Sequence, residues 1–273
     1  MSVFAALHVP LLEHHWHVAL LSALFWQALF LGAGSLSRAH FPAYKAWKKN
    51  KQFDWCMRIV AFFNAIVVCS LAWPMLNDPA LYKAKLWGYN KYAGDVNAIV
   101  VGYFLWDIYV SLLMFDPGYI LHGVCAFTVY ALSFKPFIMY YGAVFILYEL
   151  STPFLHIHWL CDKVGLTGTT LQFVNGIVLL VTFFCARLVF GFYQSWMFFV
   201  TVYAEMDAIP TYLVVVYSVC NFVLNGLNVF WFFKMVDSVQ RRFAGDKRAG
   251  LEGDGGSGLS SASHGKKEGE KRD

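Results

Sequence analysis

LQFVNGIVLLVTFFCARLVF, residues 171–190, decides the fold. These twenty residues hold a single formal charge, Arg187. As an α-helix rising ~1.5 Å per residue the stretch is about 30 Å long, the thickness of a bilayer's hydrocarbon core. Comparable apolar runs recur along the 273 residues, which are 59% hydrophobic and only 14% charged, against roughly 25% charged in a soluble domain. Hydrophobic positions do not alternate over long stretches, so a transmembrane β-barrel is not expected. No basic segment precedes the first apolar run, and no cleaved signal peptide is read there. The expected fold class is all-α, a polytopic membrane helical bundle.

Seven helices are predicted, over residues 17–36, 56–76, 96–114, 119–134, 137–160, 171–190 and 211–234. The fourth is short and bounded by turn signals; its start, Asp116-Pro117-Gly118, reads as a turn. Residues 192–205, FYQSWMFFVTVYAE, are too short for a further span. They read as an interfacial or re-entrant piece, or as a continuation of the sixth helix.

Charge sets the expected orientation. Arg38, Lys45, Lys48, Lys49 and Lys51 follow the first helix, and Lys234, Arg241, Arg242, Lys247 and Arg248 follow the last. Basic loops stay in the cytosol, and the even number of helices between them agrees. The N-terminus is then non-cytosolic and the C-terminus cytosolic. Lys83, Lys85 and Lys91 on the far side weaken the bias slightly. The tail from about residue 244 is rich in Gly, Ser and charge and is expected to be disordered. The six scattered cysteines form no CxxC pattern and read as small buried hydrophobes.

Polar side chains are expensive in lipid and usually face a bundle interior or a wet cavity. The informative ones are Asn64, Asp107, His122, Glu149, His156, Asn175, Arg187, Asn221, Asn225 and Asn228. Helical rise places His122 roughly 5 Å, Asp107 about 10 Å, Glu149 about 16 Å, Asn228 about 9 Å and Asn225 about 13 Å from the cytosolic end. Asn221, Asn225 and Asn228 recur at i, i+4, i+7 on one helix face. Glu149 and His156, seven apart, share another. The Asn stripe reads either as interhelical hydrogen bonding or as the polar wall of a ligand cavity. Arg187 reads as an arginine snorkelling to the far interface, a partner of Glu149, or a contact for a substrate anion. His14, His15 and His17, in EHHWH at 13–17, are too crowded on a helix to share a metal, so no metal site is expected; they read as solvated interfacial histidines.

Four stretches together resemble the TLC-domain family, named for TRAM, LAG and CLN proteins: GYFLWDI at 102–108, DPGYILHGVCAF at 116–127, YELSTPFLHIHW at 148–159 and LNGLNVFWFFKM at 224–235. The last two are most similar to the subgroup of TLC domain-containing protein 4. The resemblance covers roughly residues 50–240. It divides the chain into 1–50 (a non-cytosolic N-terminal segment, first span and basic loop), 51–240 (TLC domain) and 241–273 (tail).

The resemblance implies that six of the helices form a barrel around a lipid tunnel. In the ceramide synthases of this family a histidine pair and an aspartate motif perform acyl transfer. Here the pair is Leu121-His122, and Glu149-Leu150-Ser151-Thr152-Pro153 stands where the aspartates would be. A neutral His122 could still act as nucleophile or general base, oriented by Asp107 or Glu149. Asn221, Asn225, Asn228, His156 and Arg187 are the candidate lipid-binding residues.

The expected function is lipid homeostasis through binding of acyl chains or phospholipids in the tunnel. The alternatives are an acyl-CoA-dependent lipid acyltransferase using His122, and a cargo or trafficking factor. No cofactor is expected, although acyl-CoA would be a substrate in the second reading. The partners are membrane lipids rather than nucleic acid, and the family implies the endoplasmic reticulum.

Overall fold

The computed structural model describes residues 9–254, with side chains placed through residue 239. Among the described residues there is no strand. The helices are α1 (Leu12–His40), α2 (Pro42–Ala46), α3 (Lys49–Leu76), α4 (Pro79–Lys83), α5 (Lys91–Met114), α6 (Pro117–Leu132), α7 (Met139–Ile146), α8 (Thr152–Lys163), α9 (Thr170–Phe183), α10 (Phe190–Ala204) and α11 (Thr211–Asp254). A 3₁₀ segment, Leu147–Ser151, joins α7 to α8, and a π-helical turn, Phe184–Val189, joins α9 to α10.

Five helices are long and apolar enough to cross a membrane: α1, α3, α5, the continuous α9–α10 of 35 residues, and α11 over Thr211–Val239. The shorter apolar α6 and the broken α7–α8 occupy the fourth and fifth predicted positions. The chain is therefore an all-α helical membrane bundle. Residues 192–205 lie almost entirely in the continuation of the sixth helix. At ~1.5 Å per residue, α9–α10 is about 52 Å long, so it must tilt in the bilayer or extend beyond it.

The chain falls into two units, Met1–Phe232 and Phe233–Asp273. The first holds the packed helices; the second contains the C-terminal part of α11. Of the tail expected to be disordered, residues 255–273 lie outside the described residues.

Local chemistry explains the boundaries. Asp116 caps α6, its Oδ1 accepting the Gly118 and Tyr119 N–H groups at 3.0 and 3.3 Å. Pro117 occupies the first turn, where no N–H is needed. The α7–α8 break precedes Pro153, which has no N–H for the Glu149 carbonyl. The Thr152 N–H bonds that carbonyl instead, tightening the turn to 3₁₀.

α1 packs chiefly along α5. Small residues let the two backbones approach: a side chain at Gly102 would strike the Ala19 carbonyl. Ser22 Oγ donates to the Ile99 carbonyl at 2.8 Å and accepts from Trp26 Nε1 at 3.1 Å. The core beneath holds Trp26, Val60, Ala98 and Phe134. Outward-facing Leu20, Leu21, Leu24 and Phe25 of α1 stay exposed, as a lipid-facing surface requires.

Candidate functional site

Inside the bundle lies a cavity of about 90 Å³. Its wall takes residues from α3, α5, α6, α7 with its 3₁₀ segment, α9–α10 and α11, and none from α1. Most of that wall is apolar, including Val68, Val100, Phe104, Ala126, Ile146 and Leu224. Its polar members are Asn64, His122, Glu149, Arg187 and the stripe Asn221, Asn225 and Asn228, with tyrosine hydroxyls and Ser133.

The two irregular backbone segments meet at one ion pair. Arg187 is the buried residue of the π turn, and Glu149 sits in the 3₁₀ segment. Arg187 Nη2 donates to Glu149 Oε1 at 3.3 Å and to Thr152 Oγ1 at 3.0 Å. Its Nε donates to Ser151 Oγ at 3.1 Å, and Nη1 to Asn228 Oδ1 at 3.1 Å. The guanidinium also lies 5.0 Å from the Phe183 ring. One arginine thus ties three membrane segments together. Because the helix continues to Ala204, Arg187 lies near its middle, not a few residues from its end. It does not snorkel: it is 6% exposed and its polar atoms turn inward.

The rest of the asparagine stripe is bonded next to it. Asn225 Nδ2 donates to Ser195 Oγ and Asn221 Oδ1, both at 2.9 Å, and its Oδ1 accepts from the Tyr148 hydroxyl at 3.3 Å. Asn221 Nδ2 donates to Ser195 Oγ at 3.0 Å. Ser195 lies in the stretch 192–205, so this network joins α10 to α11. Close packing lets Tyr148 reach it: a side chain at Gly191 would come within 2.6 Å of its hydroxyl.

His122 differs. Its ring packs edge-on against Phe104 and Trp231, with centroids 5.8 and 5.5 Å away. Among the described residues neither ring nitrogen has a hydrogen-bond partner in the protein. Asn64 Oδ1 on the same wall is also unpartnered, although Asn64 is 2% exposed. A buried polar atom left without a partner costs roughly 1–3 kcal/mol, so Asn64 Oδ1 is where a ligand's polar group would be satisfied; the half-buried His122 ring is open to one as well.

Of the eight residues singled out from sequence, His122, Glu149, Arg187, Asn221, Asn225 and Asn228 line the cavity; Asp107 and His156 do not. Asp107 rests behind α6, where a side chain at Gly123 would come within 3.0 Å of its carboxylate. It makes no hydrogen bond to His122. His156 is buried with Nδ1 unpartnered. Asn175, also among the informative polar residues, donates to the Phe154 carbonyl at 2.8 Å and joins α9 to α8.

Sequence reasoning missed two features. Tyr148, Ser151, Thr152 and Ser195 complete the polar network; their signal was local, since three of them flank Glu149 in YELST. His15, expected in solvent, is 1% exposed. Its Nδ1 lies 2.7 Å from Asp95 Oδ1 and its Nε2 3.0 Å from the Tyr89 hydroxyl. His14 and His17 remain exposed.

The sequence is similar to that of known proteins. The TLC-domain sequence profile matches residues 54–237. The chain is 35% identical over 241 residues to an uncharacterized TLC domain-containing protein of Schizosaccharomyces pombe, covering 87% of this chain and 83% of that one. It is 30% identical over 203 residues to TLC domain-containing protein 4 of Xenopus tropicalis, covering 70% and 77%. For TLC domain-containing protein 4 of Homo sapiens the identity is 27% over 203 residues, covering 71% and 77%. The profile starts inside α3 and leaves out α1, as the cavity wall does, and with both observations in hand the chain is placed in the TLC-domain family.

Proposed function

We propose that this protein binds the acyl chain of a membrane lipid in the interior cavity and acts in lipid homeostasis. The observation that carries the reading is one apolar cavity, walled by six membrane segments, with a polar network at one side. At about 90 Å³ the cavity holds a few methylenes, so a whole chain enters only as neighbouring side chains part. The division into an N-terminal segment, a TLC domain over 51–240 and a tail goes with this reading. So do residence in the endoplasmic reticulum and a cytosolic C-terminus, the latter from the two basic segments. A glycosylation tag at residue 1 should be modified there, and one at residue 273 should not.

A second reading, acyl transfer, is favoured by one observation: His122 faces the cavity with both nitrogens unbonded to the protein. In that reading a ring nitrogen attacks a thioester carbonyl or takes the proton of an acceptor hydroxyl or amine. Glu149 lies on the same wall but is held by Arg187, and Asp107 lies off it.

Mass spectrometry of lipid extracted from the detergent-purified full chain tests the first reading. Lipid should co-purify at close to one per chain, and Ala126→Trp, which fills the cavity, should deplete it severalfold. Lipid content unchanged by that substitution would reject binding in the cavity. His122→Ala separates the two readings. It should leave bound lipid nearly unchanged if the ring only packs, and should slow acyl turnover by about 10²–10⁴-fold if the ring carries a proton.

A further inference from the structure

A second, roomier pocket of about 340 Å³ opens between the start of α3, the end of α5, the start of α6 and the end of α8. Its size falls within the ordinary range of ligand pockets, about 300–1,000 Å³, which the inner cavity does not reach. Three cations line it: Lys51, Arg58 and Lys163. Its two carboxylates are each engaged through one oxygen, which leaves the wall a net charge of about one positive unit from three cations and two anions. Asp54 Oδ1 lies 2.9 Å from Arg58 Nε, and Asp116 accepts two backbone N–H groups at the α6 cap.

Arg58 bonds Asp54 through Nε alone, which leaves both terminal NH₂ groups for another acceptor. Its guanidinium lies 4.5 Å from the Trp159 ring, and the Lys163 ammonium 5.0 Å from the same ring. Lys51 lies 4.0 Å from the Trp47 ring. Among the described residues neither lysine has a carboxylate partner. The pocket therefore offers an arginine fork and two ammonium groups to an anion, held by indole faces on a membrane helix bundle. A row of packed rings separates it from the inner cavity: Tyr119 on its wall stacks on Trp231 at 5.8 Å, and Trp231 packs on His122, which lines that cavity.

We propose that this pocket binds the phosphate of an anionic membrane phospholipid whose acyl chain passes the Tyr119–Trp231–His122 row into the inner cavity. The proposal rests on the chain-binding reading above and adds the headgroup class. A guanidinium fork suits phosphate, and basic pockets between membrane helices on the cytosolic side recognise anionic headgroups. A phosphate ester of a lipid and free phosphate share this chemistry, so the test separates them.

The full chain in neutral detergent is titrated with dioleoyl phosphatidic acid, dioleoyl phosphatidylcholine and inorganic phosphate, with binding read by native mass spectrometry. Phosphatidic acid should bind in clear preference to phosphatidylcholine. Lys51→Gln with Lys163→Gln should weaken it by about 2- to 30-fold, from ~0.2–1 kcal/mol for each exposed charge pair lost, and leave phosphatidylcholine unchanged. Lys51→Arg with Lys163→Arg should retain the preference. Equal binding of the two lipids, or a preference untouched by the glutamine pair, overturns the headgroup site and leaves the chain-binding reading standing. Inorganic phosphate binding as tightly as phosphatidic acid also overturns it, as a free-phosphate site. If neither lipid is retained, the chain-binding reading fails, and the headgroup proposal with it.

Discussion

The pair α1–α5 and the pair of interrupted spans, α7–α8 and α9–α10, solve the same packing problem in opposite ways. α1 and α5 are unbroken over 29 and 24 residues and meet through small residues, with separate polar contacts at His15–Asp95, Ser22–Ile99 and Gln27–Trp106 rather than one network. The interrupted spans carry a 3₁₀ segment and a π turn, and from them Glu149 and Arg187 pair across the bundle. π turns in helices are frequent at functional sites. Here the turn gives Arg187 an inward path to Glu149, Thr152, Ser151 and Asn228. Of the regular half only α5 reaches the cavity, with Val100, Tyr103 and Phe104; the irregular half makes a polar interior that such a wall could not supply.

The sharpest way to break that contrast is to remove Arg187. Arg187→Met leaves the half-buried Glu149 carboxylate, 19% exposed, without its cation; breaking a fully buried pair costs about 3–5 kcal/mol, which sets the upper limit here. The unfolding midpoint of the purified protein in detergent should fall by the largest margin of any substitution named here. Adding Glu149→Gln to Arg187→Met should recover part of the loss, because the stranded charge is then gone. A loss that Glu149→Gln does not relieve would mean that the ion pair is incidental to the irregular half.

Gly102→Val strikes the regular half. The added side chain meets the Ala19 carbonyl and Ser22, and overpacking of this kind costs about 1–3 kcal/mol. Gly32→Ala on the same α1 is the control: nothing lies within 4 Å of the new methyl, so no loss is expected, and the better helix former should raise stability by up to about 1 kcal/mol. Equal effects of the two would show that α1 is not held by close backbone approach.

The same contrast explains what the sequence reveals. Spans of twenty apolar residues carry their own signature, and the Asn221–Asn225–Asn228 stripe announces a shared face through its spacing. Arg187 stands out in its run as a charge, and pairing with Glu149 was among the readings that run allowed. The π turn left no compositional mark, since a shift of the hydrogen-bond ladder needs no special residue. Without it, the continuation through residues 192–205 is one option among several in the sequence, and Arg187 reads as closer to a helix end than it is. Asp107 lies within one helical turn of His122 in depth, but depth is not azimuth, and Asp107 packs beside Gly123 rather than on the wall. The 3₁₀ break was half legible, because Pro153 was visible but its effect on the Glu149 carbonyl was not.

His15 shows the remaining limit and gives the smallest effect. Three histidines in five residues look alike, and only a partner 80 positions away distinguishes His15. Its Nδ1 faces Asp95, whose other carboxylate oxygen is 2.5 Å from Lys91 Nζ. Its Nε2 faces the hydroxyl of Tyr89, which is itself 38% exposed. Tyr89→Phe removes one hydrogen bond and leaves the His15–Asp95 contact in place. Side-chain hydrogen bonds in membrane proteins average about 0.6 kcal/mol and reach about 1.7, and water at this exposed end can replace the lost hydroxyl. The expected loss is therefore about 0.6 kcal/mol, measured on the same unfolding scale as Arg187→Met. A loss on the scale of a stranded buried charge, about 3 kcal/mol or more, would mean that the regular half also depends on a buried polar cluster. The difference between the halves would then be one of backbone geometry alone.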